Sequence, residues 1–163
     1  MLKAFIFDVD GTLLDTERIY MRAWQDAAAE LGYVMSMELL AFLQKKGIRL
    51  AVASSTNTKT TKEHLAINGI ADWFEVIVGG DMIEKGKPNP DIFLKAAELL
   101  GEAPEECVVV EDSPAGIRAG AAAGMKTVLV PDQAEITREI IDLSNIVLKS
   151  LLEMPAYVEE LLK

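Results

Sequence analysis

Short unbroken blocks of apolar residues alternate along this chain with longer stretches in which apolar positions recur every three or four residues. The blocks, β-branched or aromatic in character, read as buried strands at 3–9, 48–53, 75–78, 107–110 and 127–130, with 145–148 as a candidate sixth. The periodic stretches read as helices at 16–31, 37–46, 58–68, from the Pro88/Pro90 loop through Leu100, and at 114–123. Thr16 can cap the first, and Ile19, Ala23, Trp24, Ala27 and Leu31 form its apolar stripe before Gly32 stops it. Gly47 ends the second helix, and Gly79-Gly80 closes the third strand.

Strands separated by helices imply crossover connections, hence a parallel sheet covered on both faces: an α/β, three-layer, Rossmann-like fold. No repeat, low-complexity tract or linker interrupts the pattern, so 1–163 reads as a single domain. In a parallel sheet all carboxyl ends meet at one edge, where ligands bind. Asp8 and Asp10 follow the first strand there, Ser54-Ser55 the second, Lys87 lies in the loop after the third, and Glu111-Asp112 follow the fourth. One polar group at a strand end is unremarkable; four loops delivering them to one rim make a site.

The sharpest of these features is Asp8-Val9-Asp10-Gly11-Thr12, where an apolar strand breaks into two carboxylates one residue apart. Alternate residues of a strand share a face, so both start on the same side. Like charges that close are costly unless a cation or a shared proton relieves them, and hard carboxylate oxygens suit Mg²⁺. A strand running into an acidic turn is the plain alternative for this motif alone.

Charge then narrows the partners. With 26 acidic against 16 basic residues the net charge is −10, which argues against nucleic-acid binding and against an anionic membrane surface. A phosphorylated small molecule remains compatible if a metal and a local cation overcome that field. Cys107 and His64, each the sole residue of its type, exclude an intrachain disulfide and a zinc site. Cys107 leads into Val108-Val109-Val110 and reads as a small buried hydrophobe, and His64 as a surface residue. No signal-peptide pattern and no membrane-length apolar segment occur, so a soluble, cytoplasmic chain is expected.

Four segments taken together, Asp8-Val9-Asp10-Gly11-Thr12, Ala53-Ser54-Ser55, Gly86-Lys87-Pro88-Asn89-Pro90-Asp91 and Glu111-Asp112-Ser113-Pro114-Ala115-Gly116, resemble the haloacid dehalogenase superfamily. The resemblance is to the branch of β-phosphoglucomutase and the small sugar-phosphate phosphatases, and it spans nearly the whole chain. It implies Asp8 as a nucleophile forming an aspartyl-phosphate, and Asp10 as general acid and then base. It also implies Mg²⁺ held by Asp8, the Asp10 carbonyl and Asp112, with Glu111 ligating directly, through water, or orienting its neighbours. Ser54, Ser55 and Lys87 would bind phosphate. Lys85 is the solvated lysine beside Lys87, because the Pro-Asn-Pro run restrains the latter. Ser113-Pro114 reads equally as a helix cap. Thr12 is placed with the phosphate-binding groups, as a turn residue hydrogen-bonded to the active loop.

Members of this branch insert a helical cap after the first motif, whereas here Gly32-Tyr33-Val34-Met35-Ser36 runs directly into the next helix. Residues 14–36 would be its remnant. An open site favours hydrolysis, since a mutase must keep water from its phosphoenzyme. The expected activity is therefore a Mg²⁺-dependent phosphatase for a small phosphorylated substrate. A phosphohexomutase and a catalytically weak scaffold are the alternatives. The stripe on 16–31 packs on the core or mediates self-association.

Overall fold

The computed structural model describes residues 1–14, 37–132 and 134–163. The expected helix at 16–31, with its Trp24 stripe and its self-association role, lies outside the described residues, as does most of the expected cap remnant.

Six parallel strands form one sheet: β1 (Ala4–Phe7), β2 (Arg49–Ser54), β3 (Val76–Gly79), β4 (Cys107–Glu111), β5 (Lys126–Leu129) and β6 (Ile146–Val147). Their spatial order is β3-β2-β1-β4-β5-β6. The helices are α1 (37–45), α2 (Thr58–Ile67), α3 (Asp91–Leu100), α4 (Pro114–Ala122), α5 (Arg138–Leu143) and α6 (Met154–Leu161). The chain builds one half of the sheet outward from β1 and then crosses to β4 for the other half. The β1/β4 boundary is thus the place where strand order reverses, and crevices open there in sheets of this kind.

Strand alternation sorts the core into two layers. Phe5 and Phe7 join Leu50, Val52, Val108 and Val110 on the face that carries Leu40, Leu43, Leu65 and Val158. Ala4 and Ile6 join Ala51, Ala53 and Val109 against Phe93, Ala96, Ala97 and Ala119. The second layer is rich in alanine, so α3 and α4 approach closely. A Cβ at Gly120 would lie 2.8 Å from Thr127 Cγ2.

The parallel, helix-covered sheet agrees with the sequence expectation, with three differences. β1 is shorter than 3–9, although the Asp8 amide still donates to the Val110 carbonyl at 3.0 Å. β4 runs through Glu111, pairing it with Leu129, so that carboxylate belongs to the strand itself. Helices α5 and α6 were not anticipated. They are short, and α6 buries only Met154, Tyr157 and Val158, too brief a period to stand out. Among the described residues no helix is long and apolar enough to cross a membrane.

Candidate active site

The chain leaves β1 and folds tightly back. The amides of Leu13 and Leu14 both donate to the Val9 carbonyl, and the Gly11 amide donates to Leu14. Gly11 sits at φ 85°, and a Cβ there would lie 2.4 Å from Asp112 Oδ2. Only glycine accepts both demands. This loop thereby presses against Asp112 from β4, and Thr12 Oγ1 donates to Asp112 Oδ1 at 3.4 Å.

Lys87 is the hub. Its ammonium donates to Asp8 Oδ1 at 2.5 Å, to Glu111 Oε1 at 2.5 Å and to the Ala53 carbonyl at 3.2 Å, so its three protons reach three separate strands. The side chain is 6% exposed and also lies 5.0 Å from the centre of the Phe93 ring. Asn89 holds the loop by donating from both its amide and Nδ2 to the Gly86 carbonyl. Lys85 is exposed, as expected.

Glu111 is fully buried. Its Oε2 accepts from the Asp112 amide at 3.1 Å, the Ser113 amide at 3.0 Å and Ser113 Oγ at 2.8 Å. One oxygen thus holds Lys87 and the other the start of α4. Ser113 doubles as the expected cap, its hydroxyl accepting from the Gly116 amide at 3.1 Å.

Asp10 is half-buried and differently furnished. Its Oδ2 accepts from Ser54 Oγ at 3.3 Å and from Thr56 Oγ1 at 3.2 Å. Ser54 is fully buried, whereas Ser55 is exposed and its carbonyl faces Gly80, where a Cβ would lie 2.4 Å away. Sequence reasoning missed Thr56. The one available signal was its spacing, two residues beyond Ser54 as Asp10 is beyond Asp8.

Electrostatics follow from crowding. Burial, with the Glu111 charge added, pushes the Asp8 carboxyl up to about 8 against the opposing pull of Lys87. Burial and Glu111 likewise push Asp112 up to about 6. Burial opposes the Lys87 charge too, yet Glu111 and Asp8 hold it above the usual lysine range. Carboxylate oxygens of Asp8, Glu111 and Asp112 lie within 4.8 Å of one another. An all-oxygen set with more negative charge than Lys87 neutralises fits a hard divalent cation such as Mg²⁺.

Cys107 takes no part. Its thiol is buried, donates weakly to the Ala103 carbonyl at 3.4 Å, and is pushed by burial up to about 11. His64 is half-buried near the end of α2, away from this cluster.

The sequence profile of the haloacid dehalogenase-like hydrolases matches residues 27–124. Hexitol phosphatase A of Escherichia coli is 32% identical over 187 residues, covering 83% of this chain and 86% of that protein. The chloroplastic protein SUPPRESSOR OF QUENCHING 1 of Arabidopsis thaliana is 37% identical over 125 residues, 76% of this chain, although the match takes up only 12% of that protein. Among solved structures, a putative β-phosphoglucomutase from Thermotoga maritima superimposes with a TM-score of 0.80 at 25% identity, covering 98% of this chain and 99% of that one.

Proposed function

Because the chain belongs to the haloacid dehalogenase-like hydrolases, we propose that it is a Mg²⁺-dependent phosphomonoester hydrolase working through an aspartyl-phosphate, on small phosphorylated metabolites such as sugar phosphates. The observation that carries this reading is the contrast between two neighbouring carboxylates. Asp8 is buried on Lys87, with Glu111 and Asp112 close by, whereas Asp10 is half-exposed and held by neutral hydroxyls. Pairs of acids in unlike environments divide nucleophilic from acid–base work.

In the first step an Asp8 carboxylate oxygen attacks phosphorus in line. The new O–P bond forms as the bond to the leaving alcohol breaks, and Asp10 gives that oxygen its proton. In the second step Asp10, now a carboxylate, takes a proton from water as the water oxygen attacks the phosphoryl group. Inorganic phosphate and the Asp8 carboxylate are released. Ser54, Ser55, Thr12 and Lys87 are the groups assigned to phosphate, with Lys87 also keeping Asp8 oriented. Asp8, Asp112 and the Asp10 carbonyl would hold Mg²⁺, with Glu111 supporting Asp112 and Lys87 from behind. When bound, the ion would offset the acidic cluster and polarise the phosphoryl oxygens.

Residues 1–163 are read as one core domain, with 14–36 standing where relatives carry a larger insertion. The match to hexitol phosphatase A supports extra residues somewhere in that relative. It runs over 187 positions, more than the 163 residues of the whole chain, while using only 83% of them. A phosphohexomutase is the second reading, favoured by the likeness to the putative β-phosphoglucomutase. Hydrolysis of p-nitrophenyl phosphate with Mg²⁺ or chelator, followed by a sugar-phosphate panel with and without a bisphosphate activator, separates them. Turnover that persists in excess chelator overturns the metal-dependent scheme.

A further inference from the structure

We propose that Thr56 is the residue that positions Asp10 for proton transfer while substrate is bound. This rests on the general acid–base role of Asp10 given above.

The case begins with a proton count. Two hydroxyls converge on Asp10 Oδ2, Ser54 Oγ at 3.3 Å and Thr56 Oγ1 at 3.2 Å. A hydroxyl carries one proton and so donates one hydrogen bond. Ser54 Oγ also accepts from the Thr56 amide at 3.0 Å, and has that single proton to give. A phosphoryl oxygen bound at Ser54 takes that proton, and Asp10 then loses Ser54 as a donor. Among the described residues Thr56 is the hydroxyl that remains.

Its placement suits that task because both its backbone carbonyl and its amide are held. The Thr56 carbonyl accepts from the Gly80 amide at 2.9 Å, and its amide donates to Ser54. Two residues further, Asp81 Oδ1 accepts from the Thr58 amide at 2.6 Å and from Thr58 Oγ1 at 2.7 Å, tying the start of α2 to the end of β3. A Cβ at Gly79 would lie 2.1 Å from the Thr58 nitrogen, so the two loops are in direct backbone contact. Thr56 Oγ1 is therefore presented from a rigid frame, and holding Oδ2 fixes where the other Asp10 oxygen points. Positioned hydroxyl donors also satisfy the charge that Asp10 carries once its proton has gone to the leaving alcohol.

The test uses leaving groups. A nitrophenolate leaves with little help, whereas an alkoxide needs the proton that Asp10 supplies. kcat/KM, which reports the step that expels the leaving group, is measured with Mg²⁺ for p-nitrophenyl phosphate and for a simple alkyl phosphate. The proteins are wild type, Thr56→Val, Thr56→Ser and Asp10→Asn. Thr56→Val is expected to lower kcat/KM for the alkyl ester about tenfold or more beyond its effect on the aryl ester. Thr56→Ser restores it, and Thr56→Val adds little in the Asp10→Asn background. Equal losses on both esters, or a rise in KM with kcat unchanged, would assign Thr56 to loop structure or phosphate binding and overturn the proposal alone. Absence of turnover in the folded wild type would overturn the hydrolase reading and this one with it. If Thr56→Val melts far below wild type, Thr56→Ser and Thr56→Ala decide by the same ratio.

Discussion

The carboxyl group of Glu111 occupies the space that a side chain at position 116 would need: a Cβ on Gly116 would sit 1.9 Å from Glu111 Cδ. The missing side chain on α4 lets a fully buried carboxylate reach Lys87 with one oxygen and the Asp112 and Ser113 amides with the other. Gly116→Ala should therefore destabilise the protein by about 2–3 kcal/mol through overpacking and lower phosphatase activity together with stability. Thermal melts and kcat on an aryl phosphate check this; a variant as stable and active as wild type would refute the contact.

Lys87 is the sole positive charge facing Asp8 and Glu111 among the described residues, and all three are buried. Lys87→Met leaves two buried carboxyl groups without their cationic partner, an arrangement that costs about 3 kcal/mol or more. Activity should be lost as well. Lys87→Arg should recover part of the stability and little of the activity, since a planar guanidinium does not reproduce three bonds from one nitrogen. Denaturant titration beside a turnover assay separates the two effects.

Asp8 ties pH to metal. Its carboxyl lies near 8 in the folded, metal-free protein against an ordinary 3.8. The folded state then holds a proton that the unfolded state has released, so stability falls as pH rises between about 4 and about 8. Asp112, raised to about 6, adds to the lower part of that window. With chelator the melting temperature should decline from about pH 5 to about pH 8, and Mg²⁺ should remove the decline. A flat chelated profile would contradict the crowding described here.

Asp8→Asn removes that buried charge while keeping shape. Turnover should drop at least about 10³-fold, the scale expected for loss of a nucleophile. The metal-free protein should nonetheless melt no lower than wild type, with a weaker dependence on pH. A large loss of stability in this variant would mean that the Lys87–Asp8 bond outweighs the crowding of the carboxylates.

Cys107 offers a negative control. Buried and with its thiol raised to about 11, it should resist iodoacetamide at pH 8 in the folded protein and react once denaturant is added. Mass spectrometry of the adduct reads this directly, and thiol reagents should leave activity unchanged.

Much of the candidate site was legible in the chain because most of its groups lie where an unbroken apolar strand gives way abruptly to polar residues. Asp8, Ser54 and Asp112 announced themselves in this way. The choice between Lys85 and Lys87 could be made from the flanking prolines alone. Thr56 could not be found so, since a threonine in a polar loop looks like any helix entrance until the loop is folded over Asp10. Glu111 was visible as an acid, but not that one of its oxygens meets Lys87 and the other the first amides of α4. Helices α5 and α6 were missed because each buries too few residues to set a period.

The sequence by itself determined the alternation of strands and helices, the parallel sheet they imply, and the edge at which the charged groups gather. Those properties follow from local burial period and from the geometry of crossover connections, which any reader of the chain can apply. Tertiary structure alone decided which groups share protons and charge: Lys87 between Asp8 and Glu111, Thr12 on Asp112, and Ser54 with Thr56 on one oxygen of Asp10. These pairings join residues distant in the chain at separations of a few ångströms. They depend on strand order across the β1/β4 boundary and on glycines at 11 and 116 that let neighbouring elements touch, neither of which leaves a periodic trace in sequence.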